Sequence, residues 1–381
     1  MNKIFFIILT ILFIGANLAH GTTENEKNFR KAAAEGQLSK VSQLIKHGVN
    51  INATNQYGST ALMAASLNGH IDIVRLLLQS KANVNAINQD GGTALMLASQ
   101  EGHTDIVHIL LQAGANTNIV AKNGTSALTV ASINGYEAIV KLLLSAKANV
   151  NTTDIEGNSV LIAAIQEGHT DIVRILLQAG ANANIVNKDG TSALMVASAN
   201  GYEAIVKLLL SAKVNVNTAD IEGNSALILA SYTNHVNIAK ILLQAGADVN
   251  AKNKRGETAL TMSCSNGYEI IVKILLQAGA NVNAININGE TALMWASAKG
   301  HANIVQILLH ASANPNIFSK AGDTALMMAS LNGHENVVKI LLNAGANINA
   351  VNKEGATALK AAKAKGNTKI VKILQINGAK K

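Results

Sequence analysis

A strict period of 33 residues constrains this chain more than any other feature. The string Thr/Ser-Ala-Leu recurs with its hydroxyl residue at 60, 93, 126, 192, 225, 258, 291, 324 and 357, and Ser159-Val160-Leu161 fills the single gap. No insertion or deletion interrupts these ten copies. Glycine stands two residues before each Thr/Ser, from Gly58 to Gly355, and again nine residues after it, with Asn234 the exception. Counting back from Thr60 leads to Lys27 and Gly36, so a degenerate eleventh copy opens the array at about residue 25. A fixed period of this length belongs to stacked-repeat architectures, in which each unit contacts only its neighbours.

Each copy holds two helix patterns. In residues 56–86, Thr60 is an N-cap type whose hydroxyl can satisfy an orphan N–H. Helix formers follow as far as Gly69, a helix stop. Ile73, Val74, Leu77 and Leu78 then form a second stripe at i, i+1, i+4 and i+5. An Asn-rich connector, Ala82 to Ala86, closes the copy. Helices of about 8 to 12 residues do not persist alone in water, so each must bury its stripe against the next copy. Aromatics supply only 3% of the chain, which points to a core of Ala, Leu, Ile and Val layers.

The resulting pattern, GxTALMxASxxGHxxIVxxLLxAGANVNA, resembles the ankyrin repeat over residues 25–381. The resemblance implies an all-α ankyrin-repeat solenoid of about eleven repeats, each a helix-turn-helix with a β-hairpin-like finger. Fingers and first helices would lie on the concave side of a curved stack. The organisation expected is a leader at 1–21 and an array at 22–381. The array comprises a capping repeat at 25–56, nine internal repeats at 57–352 and a basic capping repeat at 353–381. Two departures from the family are consistent. Its turn proline is alanine in nine copies and Val160 in the tenth. Its turn histidine is replaced by Met63, Met96, Thr129, Ile162, Met195, Ile228, Thr261, Met294, Met327 and Lys360. Because that imidazole ties neighbouring turns in the family, a polar tie is expected to give way here to apolar packing.

The leader has the form of a secretory signal: Lys3, an apolar run from Ile4 to Ile14, and the small-x-small site Ala19-His20-Gly21. The run falls short of the roughly 20 residues that span a bilayer. The mature protein is therefore expected in a periplasm or outside the cell. Cys264 is the only cysteine, so no intramolecular disulfide can form. Serine occupies its place in most copies, which marks it as a small core residue.

Chemistry-bearing residues follow the period too. His70, His103, His169, His235, His301 and His334 share one position, held by Tyr136, Tyr202 and Tyr268 in other copies. Residues one repeat apart lie a helix-packing distance of about 10 Å from each other, whereas metal ligands sit about 2 Å from a zinc ion. These histidines read as structural. Asp154/Glu156 recurs as Asp220/Glu222 on solvated loops, without a pocket to raise a carboxyl pKa. No HExxH, CxxC, GxSxG or Walker loop is present, so neither enzymatic activity nor a cofactor nor a metal is expected. Met262, Met294, Trp295, Met327 and Met328 gather in late repeats, either as core or as an adaptable partner patch.

Charge and duplication bear on partners. The chain carries +8, yet residues 22–352 hold 22 basic and 22 acidic groups, and eight lysines crowd 353–381 against Glu354 alone. A polar outer face keeps a terminal repeat soluble; docking to an anionic surface is the alternative. Nucleic acid is not expected, since no aromatics interleave the lysines. Residues 101–166 and 167–232 differ at 12 of 66 positions, through either neutral expansion or avidity for a repeating partner. The resemblance places partner contacts on finger tips, here Tyr57, Asp90, Lys122, Asn123, Ile155, Glu156, Lys188, Asp189, Ile221, Glu222, Lys254, Arg255, Glu257, Asn288, Glu290, Lys320 and Asp323. It adds the ends of first helices, at Asn134, Glu167, Asn200, Tyr232, Asn266, Lys299 and Asn332. The expected function is an exported, non-catalytic, monomeric scaffold for a protein partner. A membrane-docked protein and a secreted effector acting on a host protein are the alternatives.

Overall fold

The computed structural model describes residues 23–380; the expected leader at 1–21 and Lys381 lie outside the described residues. Among them are twenty-two α-helices in eleven pairs and no extended strand. The pairs match the eleven repeats that the period requires. Two compact units divide the chain, one ending at Ala181 and the other beginning at Asn182.

Local chemistry starts and stops every first helix. In all ten complete copies the expected Thr or Ser N-cap accepts a hydrogen bond from the backbone N–H three residues on, as Thr60 does from Met63. The opening helix, Glu24–Ala34, adds a capping box between Thr23 and Glu26. Later first helices have only seven or eight residues, shorter than expected, because a left-handed glycine, or Asn234 in one copy, shuts them early. Gly201 is one such residue, at φ +82°. A Cβ there would stand 2.6 Å from the ring of His235, so the position excludes side chains twice over.

Within each unit, first helices stack on first helices and second helices on second helices, giving two layers. Leu62, Ile73, Val74 and Leu77 are fully enclosed, and their equivalents recur down the stack. The apolar exchange at the lost turn histidine does occur, since Met63, Met195 and Met294 are buried. Polar ties nevertheless persist at other positions. The Nε2–H of His70, His103, His169, His235, His301 and His334 donates to a carbonyl near the end of the preceding first helix, at 2.8–3.2 Å. That finding gives the histidine column a structural task.

Cys264 lies in a buried column with Ser66, Ser99, Ser132, Ser198, Ser231, Ser297 and Ser330. Burial pushes its thiol far above the usual range. The folded chain should therefore leave a thiol reagent unconsumed, and urea should release one equivalent; rapid labelling without urea would refute this placement.

Most second helices end on a left-handed glycine such as Gly114, but Lys81, Lys147, Lys213 and Ser312 hold that conformation with a side chain. Relieving it by Lys213→Gly should stabilise the chain by about 1 kcal/mol in urea titrations. A loss of stability would show that the lysine makes a compensating contact.

Candidate functional site

The fingers are built by one turn repeated. Asn55 Oδ1 accepts from the N–H groups of Tyr57 and Ser59, and Gly58 N–H donates to Asn55 O. Asn88, Asn187, Asn253, Asn286 and Asn352 do the same in other copies, as do Asp154 and Asp220. The Asp154 and Asp220 carboxylates are thus committed to holding turns.

One backbone rung then ties finger to finger. Gln89 N–H donates to Tyr57 O, Lys122 to Asp90, Ile155 to Asn123, Ile221 to Asp189, Lys254 to Glu222, Ile287 to Arg255 and Lys320 to Asn288, all at 2.7–2.9 Å. Isolated bridges close five of the fingers, for example Val120 with Ser126. The tip residues are held in register while their side chains stay free to meet solvent.

Most sequence-derived contact residues lie on this exposed rim. Asp90, Lys122, Asn123, Ile155, Glu156, Lys188, Asp189, Ile221, Glu222, Lys254, Arg255, Asn288 and Lys320 are exposed, as are Asn134, Glu167, Asn200, Tyr232, Asn266, Lys299 and Asn332 on the helix ends. Tyr57 is half-buried. Three carboxylates turn inward instead. Glu257 accepts from Asn253 at 2.9 Å, Glu290 from Asn286 at 2.8 Å, and Asp323 from Asn352 of the following finger at 2.7 Å. These acids brace the fingers because a turn asparagine has amide hydrogens to spare. The duplicated blocks present matching finger pairs, each inside its own unit: Lys122 with Ile155, and Lys188 with Ile221.

The five late Met and Trp residues separate. Met294 and Met327 are core, at 1% and 4% exposure, whereas Met262, Trp295 and Met328 emerge half-exposed. Their column is buried in the first unit, at Ala64, Leu97, Val130 and Ala163, and half-exposed throughout the second, at Val196, Leu229, Met262, Trp295 and Met328. Three residues further along the same helices stand Tyr232 and Leu331, 54% and 39% exposed. An i, i+3 spacing sets the two columns on one face, so the second unit carries an apolar stripe on its first helices.

Two features escaped the sequence reading. Exposed apolar side chains stand at one finger position within each unit, at Ile87 and Val120 in the first and at Val186, Ile285, Phe318 and Val351 in the second. Their signal was an apolar residue between Ala and Asn in three of these fingers, Ala86-Ile87-Asn88, Ala284-Ile285-Asn286 and Ala350-Val351-Asn352. The second is the connector. The first asparagine of each Asn-x-Asn turns its own chain, and the second reaches into the next repeat. Asn250 Oδ1 accepts from Asn281 N–H at 2.8 Å, and its Nδ2 donates to Gly279 O at 3.4 Å. Asn52, Asn85, Asn118, Asn184, Asn217, Asn283, Asn316 and Asn349 supply the same Oδ1 acceptor.

On the second helices, Lys207 and Asn237 both donate to Glu203, and Lys273 and Asn303 to Glu269, which holds these two carboxyls below their usual range. Among the described residues no three His, Cys, Asp or Glu side chains gather as metal ligands. No described helix is long and apolar enough to cross a membrane. A family model described as ankyrin repeats (3 copies) matches residues 29–121, 112–187, 179–253, 250–319 and 314–381. No curated protein matches the chain.

Proposed function

The chain belongs to the ankyrin-repeat family, a family of protein–protein interaction scaffolds, and from that premise we propose that it is an exported scaffold gripping a protein through its first helices and fingers. The observation that carries this reading is the half-exposed stripe of Leu229, Met262, Trp295 and Met328 flanked by Tyr232 and Leu331. Trp and Tyr dominate binding hot spots, and Met adapts its shape to a partner. Polar tips at Lys254, Arg255 and Asn288 would form the rim that such apolar centres need.

The test uses the chain as bait on the exported fraction of its source. Trp295→Leu installs the residue that Leu97 and Leu229 place in the same column, so it spares the fold. Combined with Tyr232→Ala, it should weaken retention of the partner by about 30-fold or more. Undiminished retention would overturn the assignment to first helices. Export is tested separately by the intact mass of the secreted product, which should begin at Thr22.

A further inference from the structure

The last repeat differs from the other complete copies on the outer stripe of its second helix, Thr368–Ile376. Lys369 stands in a column that holds aspartate at 72, 105 and 171 and an uncharged residue in the rest. Ile376 stands where every other complete copy has Gln, Ser, His or Asn. At 85% exposure it is the barest large apolar side chain among the described residues. Lys369, Lys372 and Ile376 follow i, i+3, i+7 spacing and so share one helical face. Residues 353–380 carry seven lysines against one glutamate, and all seven are exposed. Only Lys369 forms an ion pair, with Glu335 at 3.4 Å.

Solubility does not explain this pattern. The opening repeat also ends the stack, yet residues 24–56 hold five basic and three acidic groups. End-capping accounts for Lys360 and Lys363, which replace buried Met and Ser columns. It accounts for neither Lys369 nor Ile376, which lie on the side that faces solvent in every repeat.

We propose that this stripe docks the chain on an anionic phospholipid bilayer. The lysines meet headgroup phosphates and carboxylates, and Ile376 enters the interfacial layer below them. Basic groups each contribute to attraction near a charged leaflet, and a bare isoleucine among lysine stems adds apolar area that the interfacial layer of a bilayer can bury. A soluble polyanion would use the lysines equally well and gain nothing from Ile376. That difference separates a membrane from a polyanion without an apolar face, such as a polysaccharide, and the vesicles themselves supply the test against a protein.

The experiment is vesicle sedimentation with the chain from Thr22, because the apolar run at 4–14 would itself partition into lipid. Vesicles containing about 30% phosphatidylserine should retain the protein and pure phosphatidylcholine should not, with retention falling as salt rises from about 0.1 M to 0.5 M. Lys369→Gln with Lys372→Gln should weaken vesicle binding by about 25-fold. Ile376→Ser should weaken it by about tenfold while leaving retention on heparin unchanged. Circular dichroism confirms that each variant is folded. No sedimentation, equal binding to both lipid mixtures, or vesicle binding indifferent to Ile376→Ser would overturn the proposal. Trp295→Leu should leave vesicle binding intact, so failure here leaves the scaffold reading standing, and failure there leaves this one.

Discussion

Replacing Gly124 with alanine lowers the stability of the chain by about 3 kcal/mol, whereas the same change at Gly114 costs about 1 kcal/mol. Both glycines are left-handed, at φ +81° and +83°, so the conformational penalty is common to the pair. What differs is the surrounding space. A Cβ on Gly114 meets nothing within 4 Å, but one on Gly124 would lie 2.7 Å from Asp154 Cα and 2.8 Å from Thr153 O. Backbone cannot swing aside as a side chain can, so the two fingers must part and stretch the rung from Ile155 N–H to Asn123 O. Urea unfolding followed by circular dichroism reads the difference. In a quasi-one-dimensional stack a damaged joint also divides cooperativity, so the Gly124 variant should unfold in two steps. Equal losses at the two sites would show that the fingers do not press on one another.

The connector asparagines carry the second large effect. Changing Asn217, Asn250 and Asn283 together to alanine should cost about 4–6 kcal/mol, an average net hydrogen-bond contribution for each bond removed. Each side chain spans an interface with two bonds, accepting from Asp248, Asn281 or Asn314 N–H and donating to Gly246, Gly279 or Ser312 O. The three joints are separate, so their losses should add. The control replaces the leading asparagines Asn281 and Asn314, which also accept from their own chains at Asn283 and Asn316. Their loss frees a local turn and should cost less per residue. A triple-variant loss below about 1 kcal/mol would mean that water replaces the clamps fully.

These joints explain why the missing turn histidine does not leave the repeats without polar ties. The stack keeps backbone rungs at the fingers, imidazoles at the second-helix starts and amides at the connectors. Asn367 shows how the last repeat follows the same plan without a ring, donating to Ser330 O at 2.8 Å and Leu331 O at 3.1 Å.

The repeat number, the two helices per repeat and their caps were legible in the letters alone. A Thr or Ser three residues before the N–H it satisfies, and a glycine where φ must be positive, act within one turn of chain and need no neighbour. The core columns were legible for the same reason, because apolar periodicity is a local record of which side is dry. The separation of Met294 and Met327 from Met262, Trp295 and Met328 was not. Nor were the inward turn of Glu257, Glu290 and Asp323, or the second asparagine of each connector acting as a clamp. Glu257 and Glu290 turn on an asparagine of their own finger, while Asp323, the clamps and the exposure of the late Met and Trp residues depend on how one copy leans on the next. Sequence fixes the unit because its bonds close inside it; the joints, and with them the surface left for a partner, are decided only when two units pack.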